Sequence, residues 1–206
     1  SNSLAEKQLS TRVNNKNVLK LQFGQNYIQD KITKNWNGPE KSNDLIDFES
    51  VFRMNFDKWV EPFISGRIET RFIDKSDPQK SIYINPITLT GSAGAIKIIM
   101  KEDTREWSAR LGAGFREHIA REVLNSFNGS RTTETGADGG IEFVNDLRTP
   151  LAKGKVNLQS KLIVFQALFN SKSNKLKGLT EENYWKSPDI NFENIFAVSI
   201  TKYLIV

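Results

Sequence analysis

His118 is the only histidine in the sequence, and it limits the catalytic chemistry that the chain could carry. A histidine can act as a general base in a triad or dyad when a nucleophile or a carboxylate lies beside it. His118 falls in the segment Phe115-Arg-Glu-His-Ile119, on the polar side of an alternating pattern. We therefore expect no catalytic residue and assign His118 to a solvated or salt-bridged position near a rim of the fold.

Three other motifs have a superficial likeness to ligand sites. Gly91-Ser-Ala-Gly-Ala-Ile-Lys97 lacks the spacing of a phosphate-binding loop and leads into no helix. Asp138 lies in a glycine-rich segment but is not followed by the spaced ligands of a calcium loop, and Asn128-Gly-Ser130 indicates at most an exposed loop. The chain has no cysteine, which excludes disulfides and thiolate sites. We expect no cofactor and no metal site.

The composition is that of a folded domain without a nucleic-acid surface. The chain has 206 residues, of which 38% are hydrophobic and 26% charged, and this balance argues against disorder. The net charge of +5 is small, and no basic cluster is interleaved with aromatic residues. No stretch has the roughly 18 uncharged apolar residues of a membrane-spanning helix. Nucleic acid is therefore not an expected partner.

The elements that must position these residues are strands. Alternation of apolar and polar residues, which predicts a two-faced strand, runs from Ile46, from Glu61 and from Glu106 for ten residues or more. Weaker alternation predicts strands near residues 19–27, 156–164 and 190–200, and glycines suggest bends or bulges in 81–100 and 131–147. The expectation is about eight long strands. Residues 1–16 are a poorly defined N-terminal segment with one weak candidate strand at 9–13.

Strand length and connection length both favour a barrel that crosses a membrane. Strands in soluble domains centre on about 5–6 residues, whereas a tilted membrane-spanning strand needs about 9–11. Short connections near 57–61, 101–105 and 148–155 alternate with longer ones near 29–43, 74–80, 120–130 and 170–188. Outer-membrane barrels have tight turns at one end and extended loops at the other. The fold predicted is an all-β, antiparallel, up-and-down transmembrane β-barrel.

The alternation alone does not show whether the apolar face points outward or inward, because a soluble barrel and a membrane barrel give the same pattern. For the membrane alternative, we predict that the polar face lines the lumen. The predicted lumen-facing residues are Asp47, Glu49, Arg53, Arg67, Glu69, Arg71, Arg110, Arg116, His118, Glu142, Lys161 and Glu193. The predicted lipid-facing residues are Phe48, Phe52, Phe56, Ile64, Ile68, Leu111, Phe115, Phe192 and Phe196. Near strand ends, the predicted interface aromatics are Trp36, Trp59, Trp107 and Trp185.

Seven stretches share their order and spacing with one known family. They are residues 41–50 (KSNDLIDFES), 69–72 (ETRF), 107–114 (WSARLGAG), 136–143 (GADGGIEF), 156–169, 184–194 (YWKSPDINFEN) and 200–203 (ITKY). Together they resemble a family of Bacteroidetes-type outer-membrane proteins known only as a domain of unknown function. The resemblance implies a fold and the bacterial outer membrane as location, and it implies no reaction. Because family members have further strands at both ends, we expect residues 1–206 to form a single barrel domain that is a fragment, with about eight strands here and about 10–12 in the complete protein. Eight strands that close on themselves are the alternative.

The function expected is that of a non-enzymatic outer-membrane protein, either a structural or complex-forming component or a narrow pore. Its expected partners are the lipid bilayer and lipopolysaccharide, with other envelope proteins as candidates. Two alternatives stay open. One is an outer-membrane lipid-modifying or hydrolytic enzyme that uses His118, and the other is a soluble lipocalin-like binding protein with an apolar cavity.

Overall fold

The computed structural model describes residues 2–36, 38–56, 58–77, 79–125, 128–201 and 204–205, most of which lie in β-strands. The strands are β1 (Asn2–Gln8), β2 (Val13–Asn26), β3 (Glu40–Met54), β4 (Glu61–Thr70), β5 (Ile73–Asp77), β6 (Lys80–Tyr83), β7 (Ile87–Lys101), β8 (Glu106–Leu124), β9 (Arg131–Leu151), β10 (Val156–Asn170), β11 (Asp189–Thr201) and β12 (Leu204–Ile205). One short helix, α1, covers Ser173–Leu176, and 3-10 turns cover Ala152–Gly154 and Tyr184–Lys186. None of the described helices is long and apolar enough to cross a membrane.

The strands follow one another across a single large antiparallel sheet. In the described residues, ten strands have the order β1-β2-β3-β4-β7-β8-β9-β10-β11-β12, and β5 and β6 form a separate hairpin between β4 and β7. The expected all-β, antiparallel, up-and-down order is confirmed at this level. Within the part of the chain that is described, β1 pairs only with β2 and β12 only with β11, so no main-chain hydrogen bonds join the two edges.

Three expectations about the strands were wrong in detail. Residues 1–16 are not undefined, because Asn2–Gln8 forms β1 and β2 already begins at Val13. The weak candidate at 9–13 is mainly the turn between these strands. Residues 81–100 do not form one strand, since β6 ends at Tyr83 and β7 begins at Ile87. The weak hydrophobic pattern of β1 explains why it escaped the periodicity argument.

The connections divide between two ends of the sheet. At one end, here called the turn end, residues 9–12, 55–60, 102–105 and 152–155 join strands through four to six residues. At the other, the loop end, the connections are 27–39, 71–86, 125–130 and 171–188. The two sets of connections lie at opposite ends as expected, but the alternation of short and long fails once: with six residues, as many as 55–60, the loop-end connection 125–130 is short. It is short because β8 and β9, with 19 and 21 residues, continue beyond their neighbours.

The sheet is strongly curled. Lys16 Nζ on β2 lies 2.7 Å from Glu106 Oε1 on β8, although four strand positions separate these strands in the sheet order. In a flat sheet, four steps would span about 19 Å, which is beyond the reach of two side chains. The contact therefore requires that the sheet bend toward the face that carries Lys16. This concave side is the inner face, and the opposite side is the outer face.

Glycines permit close approach of strands on the inner face. Gly94 pairs with Gly112 across β7 and β8, and a Cβ on Gly94 would lie 2.2 Å from the Leu111 carbonyl oxygen. A Cβ on Gly140 would lie 2.0 Å from the carbonyl oxygen of Gln166. The expected irregularities occur in both segments, since β7 shifts register between Ile98 and Met100 and β10 shifts register opposite Gly139 and Gly140, whereas Gly94 itself lies in continuous register.

Candidate functional site

The centre of the inner face is an ion-pair cluster around Glu49. Glu49 is 5% exposed and accepts hydrogen bonds from Arg110 of β8 and Lys161 of β10. These strands lie on the far side of the curled sheet, so one carboxylate of β3 joins three strands. Beside it, Ser92 donates a 2.8 Å hydrogen bond to Glu142. The Ser92 hydroxyl oxygen accepts a 2.7 Å hydrogen bond from the Ser65 hydroxyl. The cluster fills the interior with paired polar groups.

A small apolar cluster adjoins these polar groups toward the turn end. Val51, Phe63 and Ile96 are buried together on the inner face, and Ile98 packs against them. The Arg110 guanidinium lies 5.6 Å from the centre of the Phe63 ring. The two cavities lined by the Glu49 region have volumes of only about 40 Å³ each. Because about 10–15 Å³ of such volume is enough to hold one water, each of these cavities has space for only a few waters.

Further ion pairs line the inner face toward both ends. Arg67 donates to Asp47 at 2.7 and 2.9 Å and to Glu69 at 2.7 Å. Two such bonds to one carboxylate have the geometry that guanidinium groups favour. At the turn end, the Arg53 guanidinium lies 2.6 Å from the Glu61 carboxylate. The predicted polar face is thus a connected set of paired charges.

The loop end has a wider polar opening. Arg116 pairs with Asp138 at 2.9 Å and with Asp189 at 2.7 Å, and its guanidinium lies 4.4 Å from the Phe165 ring centre. A cavity of about 310 Å³ opens here, with His118 on its wall. His118 is exposed and its Nδ1 lies 3.1 Å from Thr88 Oγ1. This places His118 at a rim, hydrogen-bonded to a hydroxyl.

Lys20 on β2 pairs with Glu193 on β11, which brings the two sides of the open sheet together. Seven strand positions separate β2 from β11 along the sheet, about 34 Å if it were flat. Glu6 of β1 likewise reaches Lys101 of β7, at 2.6 Å. The inner face is therefore enclosed by strands on all sides except along the unpaired edges.

The structure places the predicted lumen-facing residues on the inner face with one exception. Arg71 is a correction: it follows the last residue of β4, is exposed, and lines a loop-end cavity with Asp74. In the sequence, the alternation of charged residues continues through Arg71, one residue past the end of β4. At that point the chain turns toward the β5–β6 hairpin. The remaining members are Asp47, Glu49, Arg53, Arg67, Glu69, Arg110, Arg116, His118, Glu142, Lys161 and Glu193.

All nine predicted lipid-facing side chains are exposed, eight of them on the outer face of a strand and Phe56 in the 55–60 connection after β3. Their exposed fractions range from 38% for Phe48 to 63% for Phe192. The set is Phe48, Phe52, Phe56, Ile64, Ile68, Leu111, Phe115, Phe192 and Phe196. This arrangement is the reverse of an ordinary soluble fold, in which large apolar side chains are buried and charges are exposed.

The four tryptophans lie two at each end of the sheet. Trp36 and Trp185 belong to loop-end connections, and Trp59 and Trp107 lie at the turn end. Trp107 Nε1 donates a 2.8 Å hydrogen bond to Asn145, and the Lys97 ammonium lies 4.0 Å from the Trp59 ring centre. Two levels of aromatic residues are the arrangement expected of membrane interfaces. In the 200–203 stretch, Lys202 and Tyr203 lie outside the described residues.

The β5–β6 hairpin is a separate two-stranded sheet with buried aspartates. Asp77 accepts hydrogen bonds from the Gln79 backbone N–H at 2.8 Å and from Arg131 Nε at 2.9 Å. These two donors hold the pKa of Asp77 below its usual value. Asp74 accepts from the Asn85 amide at 2.7 Å. The hairpin is thereby attached to the extended part of β9.

The motifs with a likeness to ligand sites are parts of strands. Residues 91–97 lie within β7, and Asp138 lies within β9, where Arg116 and Asn170 occupy its carboxylate. Among the described residues, no group of three or more histidine and acidic side chains is arranged to hold a metal ion. Sequence reasoning overlooked Lys16, Lys20 and Glu106. For Lys16 and Lys20, the available signal was their place in the polar positions that alternate with Leu19 and Leu21 in β2.

The comparisons with known proteins add no relative. No family model matches the chain, and neither a curated protein nor a solved structure is similar to it. The resemblance to the Bacteroidetes-type family therefore stays a prediction, carried by the seven sequence stretches alone.

Proposed function

We propose that this chain is a β-barrel domain of the bacterial outer membrane, with a structural or complex-forming role and little or no conductance. One observation carries the proposal. Glu49, Arg110 and Glu142 are buried on the inner face, while Phe48, Leu111 and Phe192 are exposed on the outer face. Exposed apolar side chains of this size on every long strand would be unfavourable in water, and a hydrocarbon environment removes that cost.

Three features support closure into a barrel. Ten strands, an even number, make the first and last strands antiparallel in an up-and-down order. The Lys20–Glu193 pair holds the two sides of the sheet within reach of side chains. The turn end and the loop end also match the short and long connections of outer-membrane barrels.

The filled interior favours a structural role over a pore. The Glu49 cluster and the adjoining apolar cluster leave cavities of about 40 Å³ at the centre, against about 310 Å³ at the loop end. A soluble lipocalin-like protein would need an apolar interior and a polar exterior, which is the opposite arrangement. A hydrolytic triad would need a nucleophile and an orienting carboxylate beside His118. The Thr88 hydroxyl is its neighbour, but among the described residues no carboxylate is hydrogen-bonded to His118.

The proposal is tested by refolding the chain into lipid vesicles. We expect it to float with the vesicles after a urea wash, to resist protease, and to migrate differently on gels before and after boiling. A chain that stays folded and monodisperse in buffer without detergent or lipid would overturn the membrane assignment. Release of a fatty acid or sugar from added envelope lipids, lost in His118→Ala, would overturn the non-enzymatic assignment.

A further inference from the structure

The outer face is not apolar all the way around. From β4 to β9 its central positions are Ile64, Ala93, Leu111, Ala113 and Ile141, which are all exposed. On β1, β2, β3 and β11, polar side chains interrupt the apolar residues of the same face, such as Phe48, Phe52 and Phe192. This polar stripe consists of Ser3, Lys7, Asn15, Asn17, Ser50 and Asn194. It lies on both sides of the unpaired edges of the sheet.

The polar stripe lies at the depth of the apolar band. Asn15 pairs directly with Phe52 across β2 and β3, and Asn194 lies between Phe192 and Phe196 on the same face of β11. Only Lys7 is near the turn end, where a long side chain can reach the membrane surface. Asn15 is buried, whereas Ser3, Asn17, Ser50 and Asn194 would face hydrocarbon if this side of the barrel were exposed to lipid.

Their hydrogen bonding is only partly completed within the chain. Asn17 donates to Asn15 at 2.6 Å, and Asn15 donates to Ser50 Oγ at 3.1 Å. The side chain of Asn194 is exposed and has no hydrogen-bond partner among the described residues. A polar group that faces hydrocarbon without a partner costs several kcal/mol. The Asn15 amide is completed within the chain by a second bond, to the Val51 carbonyl oxygen at 3.3 Å. The Asn194 amide and the remaining polar groups of Asn17 therefore require a covering surface that offers both donors and acceptors.

We propose that the polar stripe is an interface between two copies of this chain, related by a two-fold axis along the membrane normal. The inference rests on the membrane location proposed above. A side-chain amide and a hydroxyl each carry a donor and an acceptor, so the stripe is its own complement. Two-fold contacts place the same patch of both subunits face to face. Small residues such as Ser3, Ala5 and Ser50 allow the backbones to approach closely.

Two alanines provide a matched test, because the chain has no cysteine of its own. Ala5 is exposed on the outer face of β1 in the centre of the stripe, where it pairs with Asn17. Ala113 is exposed on β8, five strand positions away and thus on the opposite side of a ten-stranded ring. The variants Ala5→Cys and Ala113→Cys are each refolded into vesicles at a low protein-to-lipid ratio and oxidised with copper phenanthroline.

We expect disulfide-linked dimer in Ala5→Cys to exceed that in Ala113→Cys by on the order of tenfold, because an interface raises the effective concentration of the two thiols. The double variant Asn17→Leu/Asn194→Leu with Ala5→Cys should lose most of this dimer. Equal cross-linking of the two cysteine variants would overturn the interface. So would monomer in both variants while the chain shows heat-modifiable mobility and resists protease, and both outcomes leave the barrel assignment intact. In native membranes, cross-linking of Ala5→Cys to a different envelope protein would also overturn it. A chain that fails to insert contradicts the proposed function itself.

Discussion

Phe48 and Glu49 are neighbours on β3 with opposite environments: the phenyl ring is 38% exposed and the glutamate residue is 5% exposed. The same inversion recurs on β8, where Arg110 is buried and Leu111 is exposed. Because successive side chains of a strand point to opposite faces, a single local pair shows which side of the sheet is apolar. Stability in lipid should therefore depend on the outer face in a depth-dependent manner.

Ile64→Arg should destabilise the chain in lipid vesicles far more than Val60→Arg. Ile64 is at a central position of β4, whereas Val60 is in the turn before it. Arginine at the bilayer midplane costs about 2–4 kcal/mol, and near the interface about 0–1. Urea unfolding of both variants in vesicles measures the difference. If both substitutions changed the stability by less than about 0.5 kcal/mol, as exposed sites in water do, the outer face would not contact lipid.

Glu49→Gln should be strongly destabilising, because the buried Arg110 and the partly buried Lys161 lose their shared carboxylate and Arg110 keeps only Glu142, at 4.0 Å. Removing one partner of a buried pair costs about 3–5 kcal/mol. Glu69→Gln is the matched control, since Glu69 is half-exposed and Arg67 keeps its bonds to Asp47, and it should cost about 1 kcal/mol or less. Unfolding in vesicles gives the comparison.

The same variant tests the closed interior. Planar-bilayer recordings should show little current for the natural chain and more for Glu49→Gln, since the interstrand pairs at the constriction are lost. Currents of general-porin size in the natural chain would contradict the structural role. Unchanged current together with a large loss of stability would mean that the apolar cluster at Val51 and Phe63 closes the interior by itself.

Gly94→Ala should impair folding, whereas Gly66→Ala should be neutral or slightly stabilising. A Cβ at Gly94 would collide with the Leu111 carbonyl, while nothing lies within 4 Å of a Cβ at Gly66. Where the backbone tolerates it, glycine to alanine stabilises by about 0.4–1 kcal/mol through the unfolded state. The fraction of chain with heat-modifiable mobility after refolding reports both effects. Equal refolding yields would indicate that the strands can separate at Gly94.

Acid should detach the β5–β6 hairpin. The pKa of Asp77 is lower in the folded chain than in the unfolded chain, so its contribution to stability is fully present above the ordinary aspartate value of 3.8. That contribution is lost as the pH falls through the lowered pKa. The protection factors of the backbone amides of residues 73–83, which are corrected for the intrinsic pH dependence of hydrogen exchange, should fall over this acidic range. In Asp77→Asn, exchange should be faster at neutral pH and its acid response weaker, and an identical pH profile would remove Asp77 from the explanation.

The faces of the long strands could be predicted from alternation, because burial on one side imposes a period of two residues. Phe48, Phe52 and Leu111 were assigned to one side on this basis, and the structure places them together. The ion-pair partners could not be predicted in the same way. Glu49 meets Arg110 and Lys161 only because the sheet curls, and that curvature depends on glycine pairs such as Gly94 and Gly112.

The N-terminal part shows the other limit of the sequence argument. β1 carries small and polar outward side chains, so it lacks the apolar period that identified β3 and β8. Arg71 shows the reverse error, since an alternating pattern continued past the point where β4 ends at Thr70. The end of a strand depends on its hydrogen bonds with the neighbouring strand. The residue pattern of a single segment carries no information about those bonds.

The Lys20–Glu193 contact also constrains the order of events in biogenesis. The two residues are 173 positions apart, so in a chain that grows from its N-terminus the 173 residues that follow Lys20 must be synthesised before the pair can form. Contacts between distant segments slow folding, because loop closure precedes the gain from the contact. The early strands are therefore made before β11, and their apolar outer side is uncovered during that interval. A carrier that shields this side until the chain reaches the membrane would act in the same period.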